Sequence, residues 1–321
     1  MRDASKFELQ PELPYDLART LARYARFPER VDRVDAGVYR RLLPLAGAPT
    51  LIRVAQRGSA ERALLEVELH GPCAHTPEAR AGAERFVRRT LGAGQPVTGF
   101  YGALGGDPVL AAAIARERGL RSAGSATLFE ALVTAVLAQQ VNLRFAYSIR
   151  SELAERFGAR AQIGGEELIA FPTPERVARE SADALRELRL SAAKARALCA
   201  IAEAFASGEL REEVLEAMPD EAVVARLTTL RGVGRWTAEI ALMRGLARPD
   251  VFPAADLGVV KYLAQGLLGR REKAGEAEMR TFAERWGPHR SLALLYAYAE
   301  LAHRAPTQSS PARVRKKTRP A

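Results

Sequence analysis

The stretch Leu230-Arg231-Gly232-Val233-Gly234-Arg235-Trp236-Thr237-Ala238 constrains this chain more than any other. Thr228-Thr229-Leu230 closes one helical pattern, and Thr237-Ala238-Glu239-Ile240-Ala241-Leu242-Met243 opens another. Few residues separate them, so the two helices must form a tight hairpin. Gly232 and Gly234 give the turn access to positive φ and let another backbone come close. Val233, between them, is expected to point inward and anchor the turn. Amides at the start of the second helix then face outward, where the helix dipole adds partial positive charge. Such an end holds a phosphate without reading a base. An ordinary helix corner with glycine caps accounts for the Gly-x-Gly spacing equally well; the longer string is far more specific.

A second feature follows at Phe252-Pro253-Ala254-Ala255-Asp256-Leu257. Asp256 precedes Leu257-Gly258-Val259-Val260-Lys261-Tyr262-Leu263, which has a helical pattern. An aspartate there caps a helix, a contribution of ~1 kcal/mol. An oriented carboxylate in the same place can also stabilise positive charge growing on a sugar, or take a proton from an attacking water. The two roles are compatible.

A chain of 321 residues has room for two or three domains. No apolar run approaches the ~20 residues of a membrane span. The N-terminal MRDASKFELQ lacks the apolar core of a secretory signal. These features point to a cytoplasmic protein without a membrane partner. Cys73 and Cys199 cannot between them build a disulfide framework, an iron–sulfur cluster or a four-cysteine zinc site. His70, His75, His289 and His303 form no His-Glu-x-x-His pattern, so no catalytic metal is expected. The formal net charge is +10, and Arg313, Arg315, Lys316, Lys317 and Arg319 supply five of those charges with no acidic residue after Glu300. The folded body is therefore only mildly basic, and any nucleic-acid contact on it must come from a local patch.

Residues 1–105 read as an α+β domain. Asp16 to Ala25 can form a helix. Val38–Leu43 and Leu51–Val54 are short strands, and Ala63–Leu69 is the clearest one, with Leu65, Val67 and Leu69 alternating with Glu66 and Glu68. Thr76-Pro77-Glu78 then starts a helix. Gly92 to Gly106 is expected to cross between domains; it lacks the Gly-Lys-Ser/Thr of a phosphate loop. Residues 106–304 read as helix after helix. Thr127-Leu128-Phe129-Glu130 predicts a capping box, Thr173-Pro174-Glu175 and Ser191 open further helices, and Asp220 is expected to cap the helix before the hairpin. Residues 305–321 are expected to form a disordered basic tail that either adds sequence-independent attraction to phosphates or is an inert solvated segment.

The hairpin, at about residues 225–245, followed by Pro253-Ala254-Ala255-Asp256-Leu257-Gly258, resembles the helix-hairpin-helix DNA glycosylase superfamily. Phe129-Glu130-Ala131-Leu132-Val133, Ala138-Gln139-Gln140-Val141, Phe171-Pro172-Thr173-Pro174, Glu284-Arg285-Trp286-Gly287-Pro288-His289-Arg290-Ser291 and Leu294-Leu295-Tyr296 resemble its bacterial DNA-3-methyladenine glycosylase II branch. So does Pro14-Tyr15-Asp16. The likeness covers roughly residues 8 to 303. It implies an α+β fold: a TATA-binding-protein-like antiparallel sheet domain followed by a mostly α-helical glycosylase region.

The resemblance also assigns roles. The catalytic aspartate falls on Asp256, and the DNA-binding hairpin on Gly232, Val233, Gly234, Arg235 and Thr237. Trp236 stands where bifunctional members carry the lysine that forms a Schiff base. Tryptophan cannot do so, which implies a monofunctional enzyme that leaves the strand uncut. Trp236 and Tyr298 are expected to line the base pocket, where ring faces stack on a flipped base and gain a cation–π contribution from an alkylated purine. Core packing accounts for either aromatic about as well. Ile240 occupies a place where some relatives have an aromatic, so the pocket is expected to be less selective for cations. Gln140 falls where the family inserts a side chain into the gap left by the flipped base, and Gln139 is given a structural role. No cofactor is implied beyond a monovalent cation that can bridge hairpin carbonyls and a phosphate.

The expected function is excision of alkylated purines, of the 3-methyladenine and 7-methylguanine type, from double-stranded DNA in base excision repair by a bacterial, monomeric enzyme. Two alternatives stay open: a glycosylase for deaminated, mismatched or oxidised bases, and a non-enzymatic helix-hairpin-helix DNA-binding protein in which Asp256 only caps.

Overall fold

A strand whose apolar residues alternate with glutamates can bury one face only. In the computed structural model, which describes residues 4–27 and 29–304, Leu65, Val67 and Leu69 are fully buried while Glu66 and Glu68 lie on the opposite face. In chain order the first domain comprises β1 (Ala4–Leu9), α1 (Leu17–Arg26), β2 (Arg33–Asp35), β3 (Val38–Leu45), β4 (Ala48–Arg57), β5 (Leu64–His70) and α2 (Pro77–Thr90). The strands form one antiparallel sheet in the order β1-β5-β4-β3-β2. Strands β3 and β4 run longer than their sequence pattern predicts. Ala46 and Gly47 both take positive φ, 48° and 75°, which makes the two-residue turn whose twist suits a hairpin. Helices α1 and α2 cover one face of the sheet, with Leu21 and Val87 packed among Ile52, Val54 and Val67.

The second part comprises α3 (Thr98–Leu104), α4 (Ala111–Arg116), α5 (Leu128–Ala138), α6 (Leu143–Phe157), the hairpin β6 (Arg160–Ile163) and β7 (Glu166–Ile169), α7 (Pro174–Ala178), α8 (Ala182–Arg186), α9 (Ala192–Ala206), α10 (Glu212–Glu216), α11 (Asp220–Leu227), α12 (Arg235–Gly245), a π-helical stretch Gly258–Leu263 running into α13 (Ala264–Gly266), α14 (Glu276–Ala283) and α15 (Arg290–Arg304). Helix α5 is apolar nearly all round and packs against α6, α9 and α12, as a central helix must. The β6–β7 hairpin lies on the uncovered sheet face, where Leu168 meets Leu42 and Leu51.

Four local expectations need correction. The segment from Gly92 to Gly106 is not one long crossing: α3 occupies its second half, and Phe100 and Leu104 belong to the helical core. The packing changes hands between Ala93 and Val97. Thr127 does cap α5, accepting from the Glu130 amide at 3.1 Å. The reciprocal half of the capping box is missing, because the Glu130 carboxylate turns inward; the next amide, of Leu128, donates to Glu212 at 2.7 Å. Asp220 is the first residue of α11 rather than its cap, and its carboxylate pairs with Arg248 at 3.2 Å. Gly234 has φ −92°, so only Gly232, at +81°, uses the left-handed region. The basic segment 305–321 lies outside the described residues.

Glu130 turns inward because a buried ionic cluster joins the two parts. Arg41 of β3 reaches Asp32 at 2.7 Å and Glu130 at 2.5 Å. Arg150 of α6 reaches Asp32 at 2.9 Å and also pairs with Glu130 and Glu29. The Tyr39 hydroxyl donates to Asp32 at 2.5 Å. Two guanidinium groups balance two carboxylates, and Glu29 is the third. Burial pushes the Glu29 carboxyl up to about 8, against the pull of Arg150, which favours its protonated form. Burial opposes ionisation of Asp32 as well, but Arg41 and Arg150 outweigh it and hold that carboxyl well below the usual range. With Glu29 protonated the cluster is electrically neutral, the condition under which buried ions are tolerable.

Candidate active site

Helices α11 and α12 meet at the turn read from the sequence. Leu230 and Val233 amides close it by donating to Leu227 and Leu230 carbonyls, both at 3.1 Å. Val233 is buried and anchors it, as its place between two glycines suggested. A Cβ on Gly232 would sit 2.6 Å from Ala197 Cβ, so α9 leaves room for glycine only. Around Gly234 nothing lies within 4 Å of a Cβ position; this residue is the bare N-cap of α12 and offers no side-chain acceptor to the first amides of the helix. Those amides form the anion-ready end. Gly232→Ala is therefore expected to destabilise the fold by ~2 kcal/mol or more, from the left-handed backbone and the clash. Gly234→Ala should cost under ~1 kcal/mol, the difference between these residues as caps. Thermal denaturation of the pair checks this, and equal losses would contradict it.

The remaining hairpin residues divide by what they touch. Arg235 is exposed, and its guanidinium pairs with Glu239 at 2.9 Å and with Glu221 at 2.5 Å. Thr237 is buried, and its hydroxyl accepts from Gln139 at 3.0 Å; the same Gln139 amide donates to the Gly232 carbonyl at 3.0 Å. Gln139 thus ties the end of α5 to the hairpin, the structural role foreseen for it. Lys194 of α9 adds a bond to the Leu137 carbonyl at 2.8 Å, and burial lowers its pKa. Beyond Gln139 the chain turns at Gln140, which has φ 55° and is exposed, before Asn142 caps α6 by accepting from the Phe145 amide at 2.9 Å. Val141 and Leu143 flank this tip and are exposed as well.

Asp256 faces the hairpin helix. Its Oδ2 accepts from Trp236 Nε1 at 2.9 Å. Its Oδ1 accepts from the Tyr298 hydroxyl at 2.8 Å and from the Gly258 amide at 2.8 Å. The last bond is the capping role, and the backbone carbonyl of Asp256 accepts from Val259 and Val260 as the π-helical stretch begins. Capping and orientation by side chains thus coexist. Burial, and then the neighbouring Asp256 charge, raises the Tyr298 phenol well above its ordinary value, so it stays a donor.

Asp256 and Tyr298 line a cavity of about 40 Å³ together with Ile240, Met243 and Leu294. Trp236 does not line it. Its indole holds Asp256 from beside the cavity, and Ile240, one turn further along α12, supplies part of the wall. Gly258 was missed as a site residue. A Cβ there would meet Tyr298 Oη at 2.4 Å and Asp256 Oδ1 at 2.8 Å, so the Tyr298–Asp256 contact requires glycine. The Asp-Leu-Gly string held that signal. A larger groove of about 1290 Å³ runs between the sheet and the helices past Arg85, Phe86 and Phe129. Asp256 is not on its wall, so size alone would have misplaced the chemistry. Among the described residues no group of three or more His, Cys, Asp or Glu side chains is placed to hold a metal ion.

Comparison with known proteins agrees with this geometry. Residues 133–288 match the family described as HhH-GPD superfamily base excision DNA repair protein. The chain is 33% identical over 217 residues to a DNA-3-methyladenine glycosylase of Bacillus subtilis, covering 68% of this chain and 71% of that protein. It is 34% identical over 204 residues to DNA-3-methyladenine glycosylase 2 of Escherichia coli, covering 64% and 65% respectively. Among solved structures, the 3-methyladenine DNA-glycosylase from Archaeoglobus fulgidus superposes with a TM-score of 0.79 at 26% identity, over 93% of this chain and 98% of that one. The match in sequence and in overall fold shows that the chain belongs to the HhH-GPD superfamily of base excision DNA repair proteins.

Proposed function

We propose that this protein is a monofunctional DNA N-glycosylase that removes alkylated purines from double-stranded DNA and acts as a monomer. One observation carries the reading: a carboxylate with both oxygens hydrogen-bonded, on the wall of a cavity and joined through Trp236 to a phosphate-ready hairpin. The hairpin amides would take a backbone phosphate, and the exposed tip at Gln140 would fill the gap left by a flipped nucleotide, its amide bonding the orphaned partner base. A strand clamped at the hairpin would bring its sugar towards Asp256.

The reaction then needs little else. The C1′–N bond breaks and its electron pair leaves with the base. Positive charge builds on C1′ and O4′, and the Asp256 carboxylate stabilises it. Water adds to C1′ and loses a proton, leaving an abasic sugar. An alkylated purine already carries positive charge and departs as a neutral base, so no general acid is required. Trp236, the hairpin residue facing Asp256, has no amine and cannot open the sugar as a Schiff base. The strand therefore stays intact.

The test is incubation of the purified protein with duplexes bearing single lesions, with released bases identified by mass. Release of 3-methyladenine and 7-methylguanine, with strand breaks only after alkali, is the expected result. Release of only uracil, thymine or oxidised guanine would redirect the substrate assignment. Release of no base from any duplex, with DNA binding intact, would leave a binding protein.

A further inference from the structure

We propose that Ser122 and Arg244 form a hydrogen-bond-donating part of the cavity wall beside Asp256 that favours purines with an oxygen at the six position over those with an amino group. This rests on the glycosylase reading above and specifies which alkylated purines the same cavity favours. Ser122 and Arg244 line the cavity that Asp256 and Tyr298 line, and the rest of its wall is apolar, from Ile240, Met243, Pro253 and leucines. Apart from Asp256 and Tyr298, the polar side chains on that wall are these two.

Their geometry sets the direction of donation. Arg244 NH1 donates to Ser122 Oγ at 2.9 Å and to the Ala123 carbonyl at 2.8 Å. A hydroxyl that accepts from a guanidinium is polarised, and its own hydrogen points away from that donor. The Arg244 charge is close enough to act on Tyr298, where it favours the phenolate against the larger opposing effect of burial. The wall of the cavity thus combines a negative carboxylate with a donor backed by a positive charge.

A purine entering with its glycosidic carbon at Asp256 would carry its six-membered ring into the cavity that Ser122 lines. An O6 atom there accepts from Ser122 Oγ–H. An exocyclic amino group presents hydrogens to a donor and a cation, so it loses that bond and is repelled. The cavity is small in this state, with room for water rather than a base. Met243, unbranched and pliable, is the wall residue most able to yield.

Methylated duplex DNA carries 7-methylguanine and 3-methyladenine together. Both are cations, and they differ at the six position. Their spontaneous loss rates differ as well, so the readout is the change in the ratio of enzymatic release between wild type and variants under single turnover. Ser122→Ala, which deletes one oxygen, is expected to lower 7-methylguanine release ~10-fold relative to 3-methyladenine, the usual cost of an unpaired polar group in a specificity pocket. Arg244→Met should shift the ratio the same way, with the melting temperature reporting any separate loss of folding. An unchanged ratio in a folded Ser122→Ala protein, or an equal loss of both bases, overturns the proposal. Failure of the wild type to release either base would instead remove the activity itself.

Discussion

Asp256→Asn is expected to abolish base release while leaving the fold and the affinity for lesion-bearing duplex nearly unchanged. The substitution preserves shape but removes the charge that would face the sugar. The three donors around the carboxylate allow an estimate of the structural cost. With the amide oxygen facing Gly258 and Tyr298, the new NH2 group opposes the Trp236 Nε1–H donor, which is left without an acceptor. Turned the other way, it serves Trp236 but meets the Gly258 amide. Either way about one hydrogen bond is lost, ~1 kcal/mol, too little to unfold a domain of this size. The catalytic loss is of another order. Removing a single neutral donor from a transition-state site commonly costs ~10²–10³ in rate, so loss of a full charge should cost at least ~10³-fold. Single-turnover release at saturating enzyme, with binding followed by fluorescence anisotropy, separates the two effects. A rate within tenfold of wild type (roughly 1.4 kcal/mol) would reduce Asp256 to a helix cap.

What was legible in the sequence follows from how local each signal is. The hairpin could be read because its determinants lie within nine consecutive residues, and Gly232 needs the left-handed backbone its neighbours demand. Gly234 has the same place in the pattern, yet it adopts φ −92° with open space around it, so neither conformation nor packing within the fold demands glycine there. The capping box at Thr127 was half right, because the fate of its carboxylate is decided by Arg41 and Arg150, far away in the chain. Strand β2 and the β6–β7 hairpin escaped for a related reason: they are three or four residues long and only partly buried, so no alternation stands out. Resemblance placed Trp236 and Tyr298 near the site but could not say that both donate to Asp256. That statement needs the distance between α12, α15 and the loop before the π-helical stretch. Ser122 and Arg244 carried no motif at all; only folding brings a lone serine under an arginine on another element.

The buried ionic cluster gives the largest expected effect on stability. Arg150→Met should destabilise the protein by ~3–5 kcal/mol, because it leaves a carboxylate uncompensated where no water reaches it. Arg41 alone cannot balance both Asp32 and Glu130. Denaturant unfolding measures the loss, and a change below ~1 kcal/mol would mean that the cluster relaxes or hydrates easily. The pH dependence offers an independent check through Glu29, whose carboxyl rises from an ordinary value of 4.5 to about 8 on folding. Between those two values the folded chain retains a proton that the unfolded chain has released. Stability from this group is therefore complete below about 4.5 and declines as the pH rises toward about 8. Asp32 works in the opposite sense in acid, where protonating a carboxyl held low by two arginines removes its contribution. Glu29→Gln keeps the neutral state at every pH. Its melting temperature should fall less than that of wild type across the neutral range, and parallel curves for the two proteins would show that Glu29 is ionised in the folded state and that the cluster carries a net negative charge.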